Sequence, residues 1–240
     1  MTRSRDRRRV RVSLIIWLVI SVAVVTSTSC SELQWAKDLR KFDQQDRDDP
    51  PPHGGIVFVG SSSIAVWSLE LSFPGYPVVN RGLGGSQISH AIHFADRLVF
   101  PYEPSVVVLY AGDNDVASGK TPERVIEDYQ NFVQTVHGRL PECRIVFISI
   151  KPSLARWAVV DQMREANQKV AKFSESDDRL FYADIDTPLI GRDALPRPEL
   201  YAEDGLHMTV QGYEIWSSVL EPILRIAFGR GHSTDPADSL

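Results

Sequence analysis

The sequence has few cysteines, no internal repeat and no apolar run long enough to span a bilayer. Its two cysteines, Cys30 and Cys143, have no CxxC spacing, so they indicate no cysteine-ligated metal, and one pair says little about redox compartment. Charged residues make up 24% of the 240-residue chain and hydrophobic residues 43%, which excludes a largely disordered chain or a coiled coil. These proportions predict one medium-sized globular domain with a substantial core, plus an appendage.

The charge of the chain is unevenly distributed, with a net positive segment only at its start. Residues 1–11 carry six arginines and one aspartate, a charge of +5, whereas the whole chain carries −5, which leaves −10 on the remaining residues. An acidic body argues against a nucleic-acid partner, because affinity for a phosphate backbone depends on Lys and Arg. The basic run is more typical of targeting than of binding.

An apolar stretch of 14 residues, Val12–Val25, follows this basic start. A membrane-spanning helix needs ~20 apolar residues, so the stretch and the small residues behind it predict an export signal. The segment also resembles a bacterial lipoprotein cleavage site ending at Cys30, with Ser27 where a Leu-like residue is usual. Residues 1–30 are therefore predicted as an export signal or lipoprotein-type anchor.

The predicted location of the protein follows from this segment. We expect an exported chain, periplasmic or at the cell surface, that touches a membrane through the N-terminal segment only. Plain cleavage, lipidation of Cys30 and an uncleaved anchor all stay open.

Three further regions are predicted along the chain. Residues 31–55 read as a short helix and a stiff Pro-rich linker, because three prolines and two glycines lie between positions 50 and 55. Residues 56–228 form the folded domain, and residues 229–240 form a polar, disordered tail.

Short β-rich runs alternate with helix-length segments in the folded domain. Val106–Tyr110 and Ile145–Ile150 are apolar without alternation, as expected for parallel strands covered on both faces. Thr121 and Pro122 are typical of a helix start. The alternation predicts a doubly wound α/β sheet. The other predicted strands are Ile56–Val59, Pro77–Asn80 and Leu180–Ile185, and the other long helices are Gln87–Phe100, Val160–Phe173 and Gly212–Phe228.

Four polar segments stand at the predicted carboxyl ends of strands, where ligands bind in such sheets. The first, GSSSI at Gly60–Ile64, has serines on a tight turn from strand to helix, which either present a hydroxyl in a cleft or merely cap the helix. It is not a GxSxG elbow. The second, NRGLGGS at Asn80–Ser86, has glycines that let backbone amides approach a ligand, but it lacks the spacing of a dinucleotide loop.

The third segment, GDND at Gly112–Asp115, places the side-chain amide of Asn114 where it can donate into the cleft. Metal binding through Asp113 and Asp115 is an alternative. No histidine or further carboxylate cluster accompanies the pair, so no metal is predicted.

The fourth segment, DGLHMTVQGY at Asp204–Tyr213, precedes the last helix. Asp204 and His207 are three residues apart and can meet across one turn, which leaves the other ring nitrogen of the histidine free to take a proton. The remaining histidines are interpreted as structural. Among them, His90 and His93 stand at helical spacing but have no third metal ligand.

In this joint order, GSSS, NRGLGG, GDND and DGLHMTVQGY resemble the four blocks of the GDSL/SGNH hydrolase family over about Ile56–Phe228. The resemblance implies a three-layer α/β/α fold with a five-stranded parallel sheet, the flavodoxin-like SGNH-hydrolase architecture. It also implies roles for five residues: Ser62 as nucleophile, His207 as base, Asp204 as the partner of that base, and Gly85 and Asn114, together with the Ser62 amide, as the oxyanion hole.

One position departs from the family pattern. Ser61 stands where the family name has Asp. That aspartate is not part of the triad, so the chemistry survives, but the choice of Ser62 over Ser61 or Ser63 rests on alignment alone.

The predicted function is hydrolysis of small acyl or acetyl carboxylic esters, with a small-molecule or carbohydrate ester as substrate and no cofactor. Trp157 either stacks on a sugar or acyl chain or is an ordinary packing residue. Three alternatives stay open: acyl transfer to a sugar hydroxyl, carbohydrate binding without turnover, and metal-dependent phosphoester or glycosyl chemistry. The sequence predicts no oligomeric state.

Overall fold

A computed structural model of the protein describes residues 34–229. The chain divides into two compact units after Asp49. The first contains a helix at residues 34–48, labelled α1, and the second contains the sheet. The predicted export signal, Cys30 and all of the predicted tail beyond Gly229 lie outside the described residues. Within 34–229, no helix combines the length and apolar character needed to cross a bilayer.

The sheet has five strands, and every neighbouring pair is parallel. Its order is β2-β1-β3-β4-β5, which confirms the predicted fold class. Every residue of β1 and β3 is buried, so their apolar runs without alternation reflect layers packed on both faces. The strands are β1 Ile56–Gly60, β2 Val78–Gly82, β3 Val106–Tyr110, β4 Arg144–Ile148 and β5 Leu180–Ala183.

Helices and short 3₁₀ turns connect the strands. Two of the predicted long helices begin and end close to the predicted positions, at Val160–Ser174 and Val210–Gly229. Thr121 caps the helix Pro122–Arg139 by accepting a hydrogen bond from the Arg124 amide. The helices are α2 Ser62–Ala65, α3 Leu69–Ser72, α4 Ile88–His93, α5 Ala95–Leu98, α6 Asp113–Ala117, α7 Pro122–Arg139, α8 Val160–Ser174, α9 Asp186–Leu189 and α10 Val210–Gly229. The 3₁₀ turns are Phe100–Tyr102, Leu154–Val159 and Pro198–Leu200.

Alternate strand residues face opposite helical layers. On one face, the ring of Tyr110 in β3 lies 4.8 Å from that of Trp216 in α10. On the other face, the ring of Tyr129 in α7 lies 4.9 Å from that of Phe147 in β4. The protein therefore has the three α/β/α layers that the sequence predicted.

The prediction of one helix over Gln87–Phe100 was wrong. The segment forms α4, α5 and a 3₁₀ turn, because Phe94 leaves the helical conformation at φ −99° and ψ 13°. The sequence has neither Gly nor Pro at this break, so tertiary packing rather than local propensity sets it. His90 closes the start of α4, where its Nδ1 accepts a hydrogen bond from the Gln87 amide at 3.0 Å.

The strand order places a crevice between β1 and β3. From β1 the chain passes to β2 on one side, and it then returns to β3 on the other side. Such a switch point is where doubly wound sheets bind ligands. Ser62 lies two residues after the end of β1, at the start of α2, and Asn114 follows β3 in α6, so two of the predicted site residues flank this crevice.

Candidate active site

The turn after β1 presents Ser62 at the crevice. It begins at Gly60, whose φ of +147° and close approach to β3 exclude a side chain, since an added Cβ would lie 1.9 Å from the Tyr110 carbonyl oxygen. The Ser61 amide donates to that same oxygen at 3.0 Å. Ser61 and Ser63 are buried, whereas Ser62 is only half-buried. Of the three serines, Ser62 is therefore the one open to the crevice.

Ser62, His207 and Asp204 form a continuous hydrogen-bond chain. The Ser62 Oγ lies 2.9 Å from the His207 Nε2, and the His207 Nδ1 lies 2.5 Å from the Asp204 Oδ2. The interpretation that these serines only cap a helix does not describe them, because Ser61 is the N-cap residue of α2 and its side chain makes no capping bond. The structure thus selects Ser62 among the three serines by a contact rather than by alignment.

The carboxylate of Asp204 is held by its own turn. Its Oδ1 accepts hydrogen bonds from the Leu206 and His207 amides, each at 2.9 Å. The hydrogen bond with the His207 ring and these two amide bonds hold the pKa of Asp204 well below its usual range. An ionised Asp204 accepts a hydrogen bond from the Nδ1–H of His207, which leaves Nε2 as the unprotonated nitrogen that faces Ser62.

Hydrogen bonds close the turn that carries Asp204 and His207 and bind it to a neighbouring segment. The Ala202 amide donates to the His207 carbonyl oxygen at 2.8 Å, and the Gly205 carbonyl oxygen accepts from the Ala155 amide at 3.0 Å. The Tyr201 hydroxyl also donates to the Pro152 carbonyl oxygen. The segment after β4 therefore braces the turn on which two of the predicted residues lie.

Of the predicted oxyanion residues, Gly85 lies on a loop and Asn114 in α6, and both segments are joined to the nucleophile turn. The Ser86 hydroxyl donates to the Gly60 carbonyl oxygen at 3.0 Å, and the Asn114 Nδ2 donates to the Ser86 carbonyl oxygen at 2.9 Å. Gly85 immediately precedes Ser86, is exposed and has a φ of +74°. Ser86 thus connects the loop of Gly85 and the start of α6, which carries Asn114, to the turn of Ser62.

Asn80 is a positioning residue that sequence reasoning missed. Its Nδ2 donates to the carbonyl oxygens of Ile64, at 2.7 Å, and Trp67, at 3.1 Å, while its Oδ1 accepts from the Gly82 amide at 3.0 Å. These bonds fix helix α2 against the end of β2. The available signal was an amide side chain at the end of the predicted strand Pro77–Asn80.

A buried ionic cluster lies behind the nucleophile turn, and its lysine was also missed. Lys151 is 1% exposed, and its Nζ donates to the Ser63 Oγ at 3.2 Å, the Tyr110 hydroxyl at 2.9 Å and the Asp113 Oδ2 at 3.0 Å. The Arg156 Nη1 lies 3.0 Å from the same Oδ2. Burial alone would raise the pKa of Asp113, but the Lys151 and Arg156 cations outweigh it and hold that pKa below its usual value.

The two aspartates that the sequence offered as alternative metal ligands have separate cationic partners. Asp113 pairs with Lys151 and Arg156, whereas the Asp115 Oδ1 pairs with the Lys120 Nζ at 2.8 Å. Each carboxylate is thus engaged by its own cation.

Trp157 lies in the Leu154–Val159 turn and is half-buried. The guanidinium carbon of Arg164 lies 5.6 Å from the centre of its ring. This contact accounts for one face of the indole, and a role in substrate binding stays a prediction.

We expect kcat/KM to fall at low pH through the uptake of a single proton. Because the folded-state pKa of Asp204 is depressed, its carboxylate should stay charged across the assay range and should add no second proton to the acid limb. A plot of log kcat/KM between about pH 4 and about pH 8 should rise with a limiting slope of one. A slope of two would mean that Asp204 also titrates and that its hydrogen bonds are weaker than the geometry indicates.

Comparison with known proteins gives one family for this chain. The profile of the GDSL-like Lipase/Acylhydrolase family matches residues 64–215. The match begins two residues after Ser62 and includes Gly85, Asn114, Asp204 and His207.

Individual relatives extend the comparison. The chain is 26% identical over 192 residues to the platelet-activating factor acetylhydrolase IB subunit alpha1 of Pongo abelii and of Homo sapiens, covering 75% of this chain and 78% of the relative. A solved structure from Streptococcus pneumonia superposes with a TM-score of 0.72 at 21% identity, covering 85% of this chain and 99% of that one. A family 3 carbohydrate esterase from Clostridium thermocellum superposes with a TM-score of 0.57 at 16% identity, covering 71% of this chain and 96% of that one.

Proposed function

Because the chain belongs to the GDSL-like lipase/acylhydrolase family, we propose that it hydrolyses carboxylic esters through an acyl-enzyme on Ser62. The observation that carries this proposal is the hydrogen-bond chain from the Ser62 hydroxyl through the His207 ring to the Asp204 carboxylate. An arrangement of this kind joins a nucleophile to its base and the base to the group that orients it.

The first half of the proposed reaction forms the acyl-enzyme. The His207 Nε2 takes the hydroxyl proton of Ser62 while the Oγ attacks the ester carbonyl carbon. The tetrahedral intermediate then expels the alcohol oxygen, which receives that proton from His207. Asp204 keeps its negative charge throughout and stabilises the imidazolium between the two transfers.

The second half releases the acid. A water molecule gives one proton to the His207 Nε2 as its oxygen attacks the acyl carbon. The bond from that carbon to the Ser62 Oγ breaks, and the Oγ recovers the proton from His207. Ester and water thus become alcohol and carboxylic acid, and every protein group returns to its starting state.

The negative oxygen that forms twice in this cycle needs hydrogen-bond donors. We assign this role to the backbone amides of Ser62 and Gly85 and to the side-chain amide of Asn114. One such donor is typically worth about 2.7–4 kcal/mol of transition-state stabilisation.

For the substrate, we propose a small acyl group, with acetyl first. One relative is named an acetylhydrolase and one structural neighbour a carbohydrate esterase. The first name fits an acetyl ester and the second an ester on a sugar, and Trp157 is the residue that we propose contacts the alcohol part of the substrate. Export through residues 1–30, with membrane contact limited to that segment, also remains part of this proposal, as does the absence of a nucleic-acid partner.

The test is turnover of p-nitrophenyl acetate by the protein, together with fluorophosphonate labelling mapped by mass spectrometry. We expect hydrolysis that a chelator does not affect and one label, on Ser62. A folded protein with neither turnover nor label would favour carbohydrate binding without chemistry, and loss of activity on chelation would favour a metal mechanism.

A second arm of the same experiment separates hydrolysis from acyl transfer. An added sugar alcohol competes with water for the acyl-enzyme. We expect free acetate as the main product, and predominant acetylation of the sugar would instead make the protein an acyltransferase.

A further inference from the structure

The Asn114 side chain has a defined orientation, which a lone amide at a strand end would lack. Its Nδ2 donates to the Ser86 carbonyl oxygen at 2.9 Å, and its Oδ1 accepts from the Arg156 Nη2 at 2.7 Å. If the amide were rotated by half a turn, an oxygen would face the Ser86 carbonyl and an NH₂ group would face the guanidinium. Both contacts would become repulsive, so the pair of bonds excludes the flipped amide.

This orientation leaves one N–H of Asn114 available. An amide nitrogen has two hydrogens, and Ser86 is the acceptor of one of them within residues 34–229. The second N–H is the one from which an oxyanion would accept a hydrogen bond. An amide free to rotate would present its oxygen to that anion for part of the time, and the interaction would then be repulsive.

Arg156 is itself held in place by charge. Its Nη1 lies 3.0 Å from the Asp113 Oδ2, and its side chain is 18% exposed. Asp113 is buried and also pairs with Lys151, so its carboxylate is fixed from two sides. A planar guanidinium can contact two acceptors with a fixed angle between them, which a lysine ammonium on a flexible stem cannot do equally well.

The cluster also carries charge. Asp113 contributes one negative charge, and Lys151 and Arg156 each contribute one positive charge, so with Lys151 protonated the three together are net positive. The charged guanidinium of Arg156 donates a hydrogen bond to the Oδ1 of Asn114. This contact polarises the amide, so its N–H groups become stronger hydrogen-bond donors.

We propose that Arg156 is a positioning residue that holds and polarises the Asn114 amide so that it donates to the oxyanion. This inference rests on the proposed ester hydrolysis and extends it to a residue outside the four sequence blocks. Arg156 acts through Asn114 and touches neither the nucleophile nor the base.

The experiment is a double-mutant cycle with Arg156→Met and Asn114→Ala, measured as kcat and KM for p-nitrophenyl acetate. We expect Arg156→Met to lower kcat by about 10- to 100-fold with KM changed by less than about 3-fold, because the contact matters only where charge develops. In the Asn114→Ala background, the same substitution should lower kcat by less than about 3-fold. Arg156→Lys should fall between Arg156→Met and the unchanged protein.

Two controls separate positioning from loss of structure. Titration of Ser62 with a fluorophosphonate gives the fraction of folded sites, and kcat is expressed per titrated site. Arg124→Met removes an arginine whose Nη2 lies 2.8 Å from the buried Asp128 on helix α7, and its kcat should stay within about 2-fold of the unchanged protein.

Each outcome is decisive. An equal loss from Arg156→Met in both backgrounds would mean that Arg156 is merely structural, and an unchanged kcat in the single variant would mean that it does not act on Asn114. Either result overturns this inference alone and leaves ester hydrolysis standing. Absence of turnover and of Ser62 labelling in the unchanged protein would overturn the proposed function and this inference with it.

Discussion

Replacing Ser62 by alanine is expected to lower kcat for p-nitrophenyl acetate by about 10⁴- to 10⁶-fold. The variant keeps His207 and Asp204 hydrogen-bonded to each other but removes the oxygen that His207 Nε2 contacts at 2.9 Å. A remaining rate above that of water is expected, because the oxyanion donors still act on direct attack by water. Steady-state kinetics, with the label on Ser62 lost, would measure the effect.

The adjacent serine supplies the matched control. Ser61 is buried, and within the described residues its Oγ has no hydrogen-bond partner. Ser61→Ala should therefore leave kcat within about 3-fold of the unchanged protein, since it removes a buried hydroxyl that makes no bond. If Ser61→Ala lost activity and Ser62→Ala kept it, Ser61 rather than Ser62 would be the nucleophile.

Asp113→Asn is expected to reduce the free energy of unfolding by about 3–5 kcal/mol at neutral pH. The substitution keeps the shape of the side chain and removes its charge, so Lys151, 1% exposed, and the nearby Arg156 lose their shared counter-charge. A buried cation and a partly buried one are costly without an anion, because their mutual repulsion adds to the loss of hydration. Urea unfolding followed by tryptophan fluorescence would measure the difference.

The free energy of unfolding that Asp113→Asn loses should become smaller as the pH rises. Burial already lowers the pKa of Lys151, and Asp113 partly offsets that effect. Without Asp113 the folded-state pKa falls further, so as the pH rises the folded state loses its proton before the unfolded state does, and stability rises with pH. The difference from the unchanged protein should be smaller at about pH 9 than at about pH 6.

A half-exposed ion pair provides the comparison for this variant. The Asp177 Oδ2 pairs with the Arg179 Nη2 at 2.5 Å, with side chains 24% and 35% exposed. Asp177→Asn should cost about 1 kcal/mol or less, because water solvates both groups after the change. Equal losses at the two aspartates would mean that Asp113 does not gain its effect from burial.

The strands of the sheet could be predicted from the sequence because helices cover both faces of the sheet, and burial on both faces requires continuous apolar runs. Val106–Tyr110 is apolar throughout, and the structure buries every residue of it between two helical layers. The break of the predicted helix at Phe94 was not predictable from local signals, because no Gly or Pro marks it. Its position depends on contacts with residues distant in sequence.

The residues of the candidate site that belong to the four sequence blocks could be predicted, whereas the buried residues that hold them in place could not. Ser62, His207 and Asp204 are hydrogen-bonded as the resemblance implied. Lys151 and Arg156 were overlooked, because a lysine and an arginine in a loop are usually solvated. Their buried contacts with Asp113 arise only once the ends of β3 and β4 lie side by side. The one local signal was a lysine soon after an apolar strand.

The turn that holds Asp204 and His207 also bears on how such a protein changes over evolution. Asp204 and His207 lie on a single turn, whereas Ser62 is 145 residues earlier than His207. Lengthening a loop anywhere between α2 and that turn leaves the distance between Asp204 and His207 unchanged. Insertions at the rim of the cleft can thus reshape its walls, provided that the contact between Ser62 and His207 and the positions of Gly85 and Asn114 are kept.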